Sequence, residues 1–216
     1  MKIVAFGDIH MDYAILDRIP RLSEADLVII TGDLTNFGGR HEAAIVLDAV
    51  RRINPTVLAL LGNLDRPSVD AYLDEAGINL HGRGVVRGEL GIFGVGGSNP
   101  TPFNTPTEYP EEELARLVRQ GYGQVVSAPV KVLVSHPPPH GTATDRLRNG
   151  AHVGSTAIRE FIEAEQPHFC LTGHIHESRE VDTLGDTLIL NPGMLGSPGW
   201  IELERKAGGN WTARLN

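Results

Sequence analysis

Five times along this chain a short apolar run passes through glycine or serine and stops at a side chain able to bind a metal: IVAFGDIH, VIITGDL, LALLGNLD, VLVSH and FCLTGHIH. The runs themselves, Ile3–Phe6, Leu27–Ile30, Val57–Leu61, Val130–Val134 and Phe169–Leu171, are continuously apolar rather than alternating. Runs of that kind form strands covered on both faces, and such strands pair in parallel through helical crossovers. The intervening segments agree. Tyr13–Ile19, His41–Ile53, Ser68–Ala76, Glu111–Gln120 and Thr156–Glu165 carry helical spacing or good helix formers, with Ser68 and Ser155 as the expected N-caps.

In the second half the pattern changes. Val85–Arg87, Leu90–Val95, Ser178–Val181, Thr187–Leu190, Trp200–Glu204 and Trp211–Leu215 read as strands, most of them joined by short turns containing Gly or Asp. The expectation is therefore α/β, with two packed mixed sheets. No internal repeat or low-complexity tract interrupts the chain, and its glycines and prolines fall between apolar segments rather than in one linker. Residues 1–216 are expected to form a single domain, long enough to bury a substantial core.

Charge and cysteine content narrow the chemistry. With 27 acidic against 19 basic residues the net charge is −8, which leaves no broad positive surface and argues against stable nucleic-acid binding. No run of about 18 apolar residues is present, and MKIVAFGD reaches Gly7 and Asp8 too soon for a signal peptide, so the expectation is a cytoplasmic chain without a membrane partner. Cys170 is the sole cysteine, which excludes an intramolecular disulfide and a thiolate-built zinc site and suggests a small buried apolar residue. Nine histidines are the chain's distinctive resource.

In open α/β sheets ligands bind beyond the carboxyl ends of the strands. Asp8, His10, Asp33, Asn63, His136, His174 and His176 all fall at such positions, so they are expected to converge. Imidazole with carboxylate and amide oxygen suits Mn, Fe, Zn, Ni or Co, whereas calcium favours oxygen alone. Seven such groups exceed the needs of one ion. A pair of ions, bridged by a carboxylate, is the arrangement that clamps a phosphoryl group while activating water.

The ordered set Asp8-Ile9-His10, Gly32-Asp33, Gly62-Asn63-Leu64-Asp65, His136 and Gly173-His174-Ile175-His176 resembles the calcineurin-like metallophosphoesterases, whose motifs are D-x-H, G-D, G-N-x-D/E, a lone His and G-H-x-H. The resemblance spans residues 8 to 176 and implies a four-layer α-β-β-α sandwich, its two mixed sheets flanked by helices. It further implies two divalent ions, Mn foremost, and hydrolysis of a small phosphoester or nucleotide by a shared water or hydroxide. On matching positions Asp8, His10 and His176 would hold the first ion and Asn63, His136 and His174 the second, with Asp33 bridging them.

One position departs from the family. Many members carry His within the third motif, where this chain has Leu64, and an aliphatic side chain neither carries a proton nor donates a hydrogen bond. His140 and His152 are the candidate replacements, because the loop Pro137–Val153 begins at His136; together with Asp33 they complete the catalytic candidates. Arg146 and Arg148 in that loop, with Asn63, are the candidate phosphate contacts. Loss of the motif histidine favours diesters or activated esters, whose leaving groups need less protonation. Alternatives that keep the same site are a phosphomonoesterase or nucleotide pyrophosphatase, and a metal- or nucleotide-binding scaffold without turnover.

Other residues are read more plainly. Asp65 either orients a neighbour or serves the Arg66-Pro67 turn, while His41, His81 and His168 are expected at the surface or in turns. Gly96–Pro110 is longer than most connections and serves as a binding loop or a surface excursion. Asn191-Pro192-Gly193 is expected to be a turn, with support of the site's ligands by Asn191 as the alternative.

Overall fold

A computed structural model describes residues 1–197 and 199–216. Along the chain run β1 (Lys2–Phe6), β2 (Leu27–Ile30), α1 (Arg40–Ile53), β3 (Val57–Ala59), α2 (Pro67–Glu75), β4 (Arg83–Arg87) and β5 (Leu90–Val95). They are followed by α3 (Glu111–Gly123), β6 (Val130–Ser135), α4 (Thr156–Glu165), β7 (Phe169–Leu171), β8 (Val181–Leu184), β9 (Thr187–Leu190), β10 (Ile201–Arg205) and β11 (Trp211–Leu215). The strands form two mixed sheets, ordered β11-β10-β1-β2-β3 and β4-β5-β6-β7-β9-β8. The strands that carry the candidate ligands pair in parallel, β1 with β2 and β2 with β3 in one sheet and β6 with β7 in the other.

Period-two alternation sorts each strand between two cores, which is why the runs look apolar throughout. Ile3 and Ala5 of β1 face the inter-sheet layer, where they join Ile92, Val132, Val134 and Leu171 of the second sheet. Val4 and Phe6 face the other way, onto Ala43, Val46, Leu47 and Val50 of α1 and Val69 and Leu73 of α2. The second sheet does the same: Phe93, Leu133 and Cys170 pack on Leu114 and Val118 of α3 and on Ile158 and Phe161 of α4. The result is the four-layer α-β-β-α sandwich. Burial pushes the Cys170 thiol well up, so it stays a neutral thiol in that core. Among the described residues no helix is long and apolar enough to cross a membrane.

Local expectations differ from the structure in a few places. Residues 13–18 form a 3₁₀ turn rather than an α-helix, because Pro20 forces Ile19 into extended backbone and stops it. The helix expected at Ser68 starts one residue earlier: Pro67 occupies its first position and Arg66 the cap, whereas Ser155 does cap α4, accepting the Ile158 N–H at 3.2 Å. The strand expected at Ser178–Val181 begins only at Val181. Ser178 is buried in a turn, its N–H donating to Ile175 O at 3.0 Å and its hydroxyl to Arg146 O at 2.5 Å. Likewise β3 ends at Ala59, because Leu61 turns its carbonyl to the Gly97 N–H, 3.0 Å away in the loop after β5.

Candidate metal centre

Each candidate ligand leaves the carboxyl end of a strand: Asp8 and His10 after β1, Asp33 after β2, Asn63 after β3, His136 after β6, and His174 and His176 after β7. Both sheets therefore contribute to one edge. Four of these residues hold left-handed backbone, with φ of 49° at Asp8, 49° at His10, 48° at Asp33 and 67° at His174. Asp and His are enriched in this sparsely populated region, and non-glycine residues there cost of order 1–3 kcal/mol each, retained where the surroundings over-determine them. Here the surroundings are other ligand loops. Asp8 N–H donates to Gly32 O at 3.0 Å, Ile9 and His10 N–H to Asp33 O at 2.9 and 3.0 Å, and the His174 N–H to the Asp8 carboxylate at 3.1 Å.

Asp8, His10, Asp33 and His176 each offer one ligand atom, and the four atoms lie within 4.8 Å of one another. His10 Nε2 is 3.0 Å from His176 Nε2, which is itself 3.0 Å from Asp8 Oδ1. Two imidazole nitrogens this close to each other and to two carboxylates form a cluster of potential ligand atoms that a divalent cation would draw together.

His136 marks the other half. Its Nδ1 donates to Thr31 O at 2.9 Å, so its Nε2 faces Asn63 Oδ1 at 3.0 Å and Asp33 Oδ2 at 3.5 Å. Both neighbours are acceptors, because Asn63 spends its Nδ2 on Thr105 Oγ1 at 3.0 Å. Only a proton or a cation satisfies that Nε2. Burial resists charge on His136, but Asp33 and Asp8 outweigh it and lift its pKa to about 9. Burial equally resists ionisation of Asp33, yet His136, His10 and the Leu64 N–H at 2.8 Å hold its carboxyl below the usual carboxylate range. His174, whose ring centroid lies 5.2 Å from that of His136, is pushed down to about 4 by burial and by that neighbour, which leaves a free lone pair.

The glycines preceding the ligands have a second use beyond turning the chain. A Cβ at Gly62 would stand 2.1 Å from Asp33 Oδ1, and one at Gly173 2.5 Å from Asp8 Oδ2, so each glycine makes room for the carboxylate of another motif. Asp65 is the orienting residue of its two readings. Fully buried, it accepts the N–H groups of Leu34, Thr35 and Gly62 at 3.1, 2.8 and 2.9 Å, clamping the second motif to the third. Burial and the charge of Asp33 raise its pKa to about 7.

Asn191 is more than a turn. Its Oδ1 accepts the Gly193 N–H at 2.9 Å, and its Nδ2 reaches Gly173 O at 3.3 Å and Ile175 O at 3.0 Å, fixing the loop that carries His174 and His176. His81 sits, as expected, in a turn, closed by the Arg83 N–H on Leu80 O at 3.0 Å, but it is half-buried there: it stacks on Tyr109 at 5.3 Å and accepts the Gly96 N–H at 2.9 Å.

Above the centre opens a cleft of about 1090 Å³ whose lining includes Asp33, Asn63, Leu64, His140, His152 and His174. His152 Nδ1 lies 2.6 Å from Oδ1 of Asp145, a fully buried carboxylate that also accepts three backbone N–H groups. His140 sits beside it, ring centroids 6.0 Å apart, with no side-chain partner of that kind among the described residues. Arg148 lines the cleft but is 89% exposed and paired with Glu177 at 3.2 Å. Arg146 does not line the cleft: it pairs through its backbone with His152 and is exposed. Of the long segment, residues 99–103 and Thr105 line the cleft, as does Phe37. Neither Asp145 nor Phe37 carried a sequence signal, since no motif contains them.

Comparison with known proteins gives the family and the fold. The family model for calcineurin-like phosphoesterases matches residues 1–178. The uncharacterized protein MJ1162 of Methanocaldococcus jannaschii is 36% identical over 206 residues, covering 89% of this chain and 88% of that protein. The 3',5'-cyclic adenosine monophosphate phosphodiesterase CpdA of Escherichia coli K12 is 27% identical over 236 residues, covering 94% of this chain and 78% of CpdA. The crystal structure of TT1561 of Thermus thermophilus shares the fold, with a TM-score of 0.75 at 16% identity over 99% of this chain and 97% of that one.

Proposed function

This chain belongs to the calcineurin-like phosphoesterase family, and from that premise we propose that it is a dinuclear metal-dependent phosphodiesterase. One observation carries the reading. Asp33 Oδ2 lies 3.9 Å from His10 Nε2 on one side and 3.5 Å from His136 Nε2 on the other, the position of a carboxylate shared between two ions. Asp8, His10 and His176 would hold the first ion with Asp33, and Asn63, His136 and His174 would hold the second. When bound, the ions neutralise phosphate charge and lower the pKa of water to near neutrality. The mixed nitrogen and oxygen donors suit manganese, with Fe, Zn, Ni and Co also fitting.

The chain's own groups then set what is hydrolysed. Leu64 offers no proton at the third motif, so the acid falls to His152, whose Nδ1 is held by Asp145 and whose ring lines the cleft. A partly exposed imidazole serves better for a leaving group that needs little protonation, which favours a diester; the likeness to CpdA supports the same side. His140 lacks the Asp145 contact and is the weaker candidate. We take residues 1–216 as one catalytic domain, because β10, beyond the matched region, pairs with β1 beside the first ligands.

The test is hydrolysis of an aryl phosphodiester beside its aryl monoester with Mn²⁺, in the wild type and in Asp33→Asn, with metal content measured in both. The expectation is diester turnover that falls about 10³-fold or more in the variant as bound metal is lost, the scale of several kcal/mol of charge stabilisation. A strong monoester preference overturns the diester reading, and metal binding without turnover of either overturns the hydrolase.

A further inference from the structure

Of the six phenylalanines, Phe6, Phe93, Phe161 and Phe169 are buried. The other two, Phe37 and Phe103, are 53% and 80% exposed, and both line the cleft over the metal centre. An exposed phenyl ring is a cost in water that burial would remove. Two from separate loops lining one cleft point to something apolar and flat that covers them.

Both rings are anchored to the centre. Phe37 holds a left-handed backbone at φ 58°, unusual for a bulky residue, and its neighbour Asn36 donates from Nδ2 to the His10 carbonyl at 2.9 Å. Phe103 rides on a loop knotted by Glu108, whose Oε1 accepts from the hydroxyls of Thr101 and Thr105 at 2.6 Å each. Thr105 in turn receives the Asn63 Nδ2–H at 3.0 Å. Both rings are thus carried by loops bonded directly to candidate ligands.

We propose that Phe37 and Phe103 form a stacking platform for the base of a nucleoside phosphoester. This deepens the phosphodiesterase reading and rests on it. Every nucleobase offers a π-face, so phenyl rings grip it without base-specific hydrogen bonds. An acyl chain gains nothing from aromatic rather than aliphatic walls. A cleft of about 1090 Å³ is also far larger than a small alkyl phosphate needs and lies just above the range, about 300–1,000 Å³, typical of small-molecule and cofactor sites.

The experiment compares three esters that share one chromogenic leaving group, the nucleoside, methyl and octyl 4-nitrophenyl phosphodiesters, in the Mn²⁺-loaded full chain. The readout is the ratio of kcat/KM between esters. The wild type is expected to favour the nucleoside over the methyl ester by about 30-fold or more, and Phe37→Ala and Phe103→Ala each to cut that ratio about tenfold. Phe→Tyr restores the ratio and Phe→Leu does not. An octyl preference that Phe→Leu preserves overturns the proposal in favour of an acyl chain, and so does a changed oligomeric state with an unchanged ratio. Failure of the wild type to hydrolyse any ester sinks the phosphodiesterase reading alone. Calorimetric titration of thymidine 5'-monophosphate against methyl phosphate then decides the platform: tighter nucleotide binding lost in Phe103→Ala supports it, and equal affinities overturn it.

Discussion

In the metal centre that forms the floor beneath the cleft Asp8, Asp33 and His136 are at most 2% exposed, while on the cleft's walls Phe103 is 80% and Arg148 89% exposed. The two regions are held differently as well. Floor side chains sit in strand-end loops that bond to one another through backbone amides, in left-handed turns with no spare volume. Wall side chains project from long loops fastened at a few points, Asn63 to Thr105, Asn36 to His10 and Asp145 to His152. A floor built this way fixes where charge is held, and a wall built this way is free to vary what is admitted. The contrast makes the cost of a substitution depend on region more than on the chemistry removed.

After Asp33→Asn, the largest expected effect comes from adding one methyl group to the floor. Gly62→Ala places a Cβ 2.1 Å from Asp33 Oδ1 and 2.3 Å from its backbone nitrogen, so Asp33 must shift. A displacement near 1 Å in such a site costs about 10²-fold in turnover, and overpacking costs about 1–3 kcal/mol of stability. Turnover and the Tm of the metal-free chain measure the two separately. An intermediate effect is expected of Asn191→Ala, which frees the carbonyls of Gly173 and Ile175 beside His174 and His176. Removing a support of this kind lowers metal affinity about 10–100-fold, read by competition against a chelator.

The smallest belongs to the wall. Arg148→Ala removes a full positive charge, yet that guanidinium is solvated and already paired with Glu177, so kcat/KM is expected to change less than about fivefold, and less still at high salt. Were Arg148→Ala to cost as much as Gly62→Ala, the wall would be holding the phosphate and the contrast would collapse.

What the sequence by itself determined was the scaffold and the order of the chemistry. Apolar runs such as Ile3–Phe6 read as two-sided strands because each residue's burial follows from period two, and Asp8, Asp33, Asn63, His136 and His174 stand next to those runs, so their place at strand ends was legible without coordinates. Boundaries were less so, since Pro67 and Pro20 acted one or two residues from where the helical pattern pointed.

Only the tertiary structure decided how the ends face one another. Asp65 bonds Thr35 across 30 residues, and Asn191 bonds Ile175 across 16, yet neither contact leaves a local periodicity to read. The same holds for Asp145 behind His152, for His81 against Tyr109, and for Phe37 and Phe103 lining one cleft. Hydrophobic burial repeats along a strand and so writes itself into the sequence, whereas a hydrogen bond or a shared cleft joins two points of the chain whose separation only packing sets.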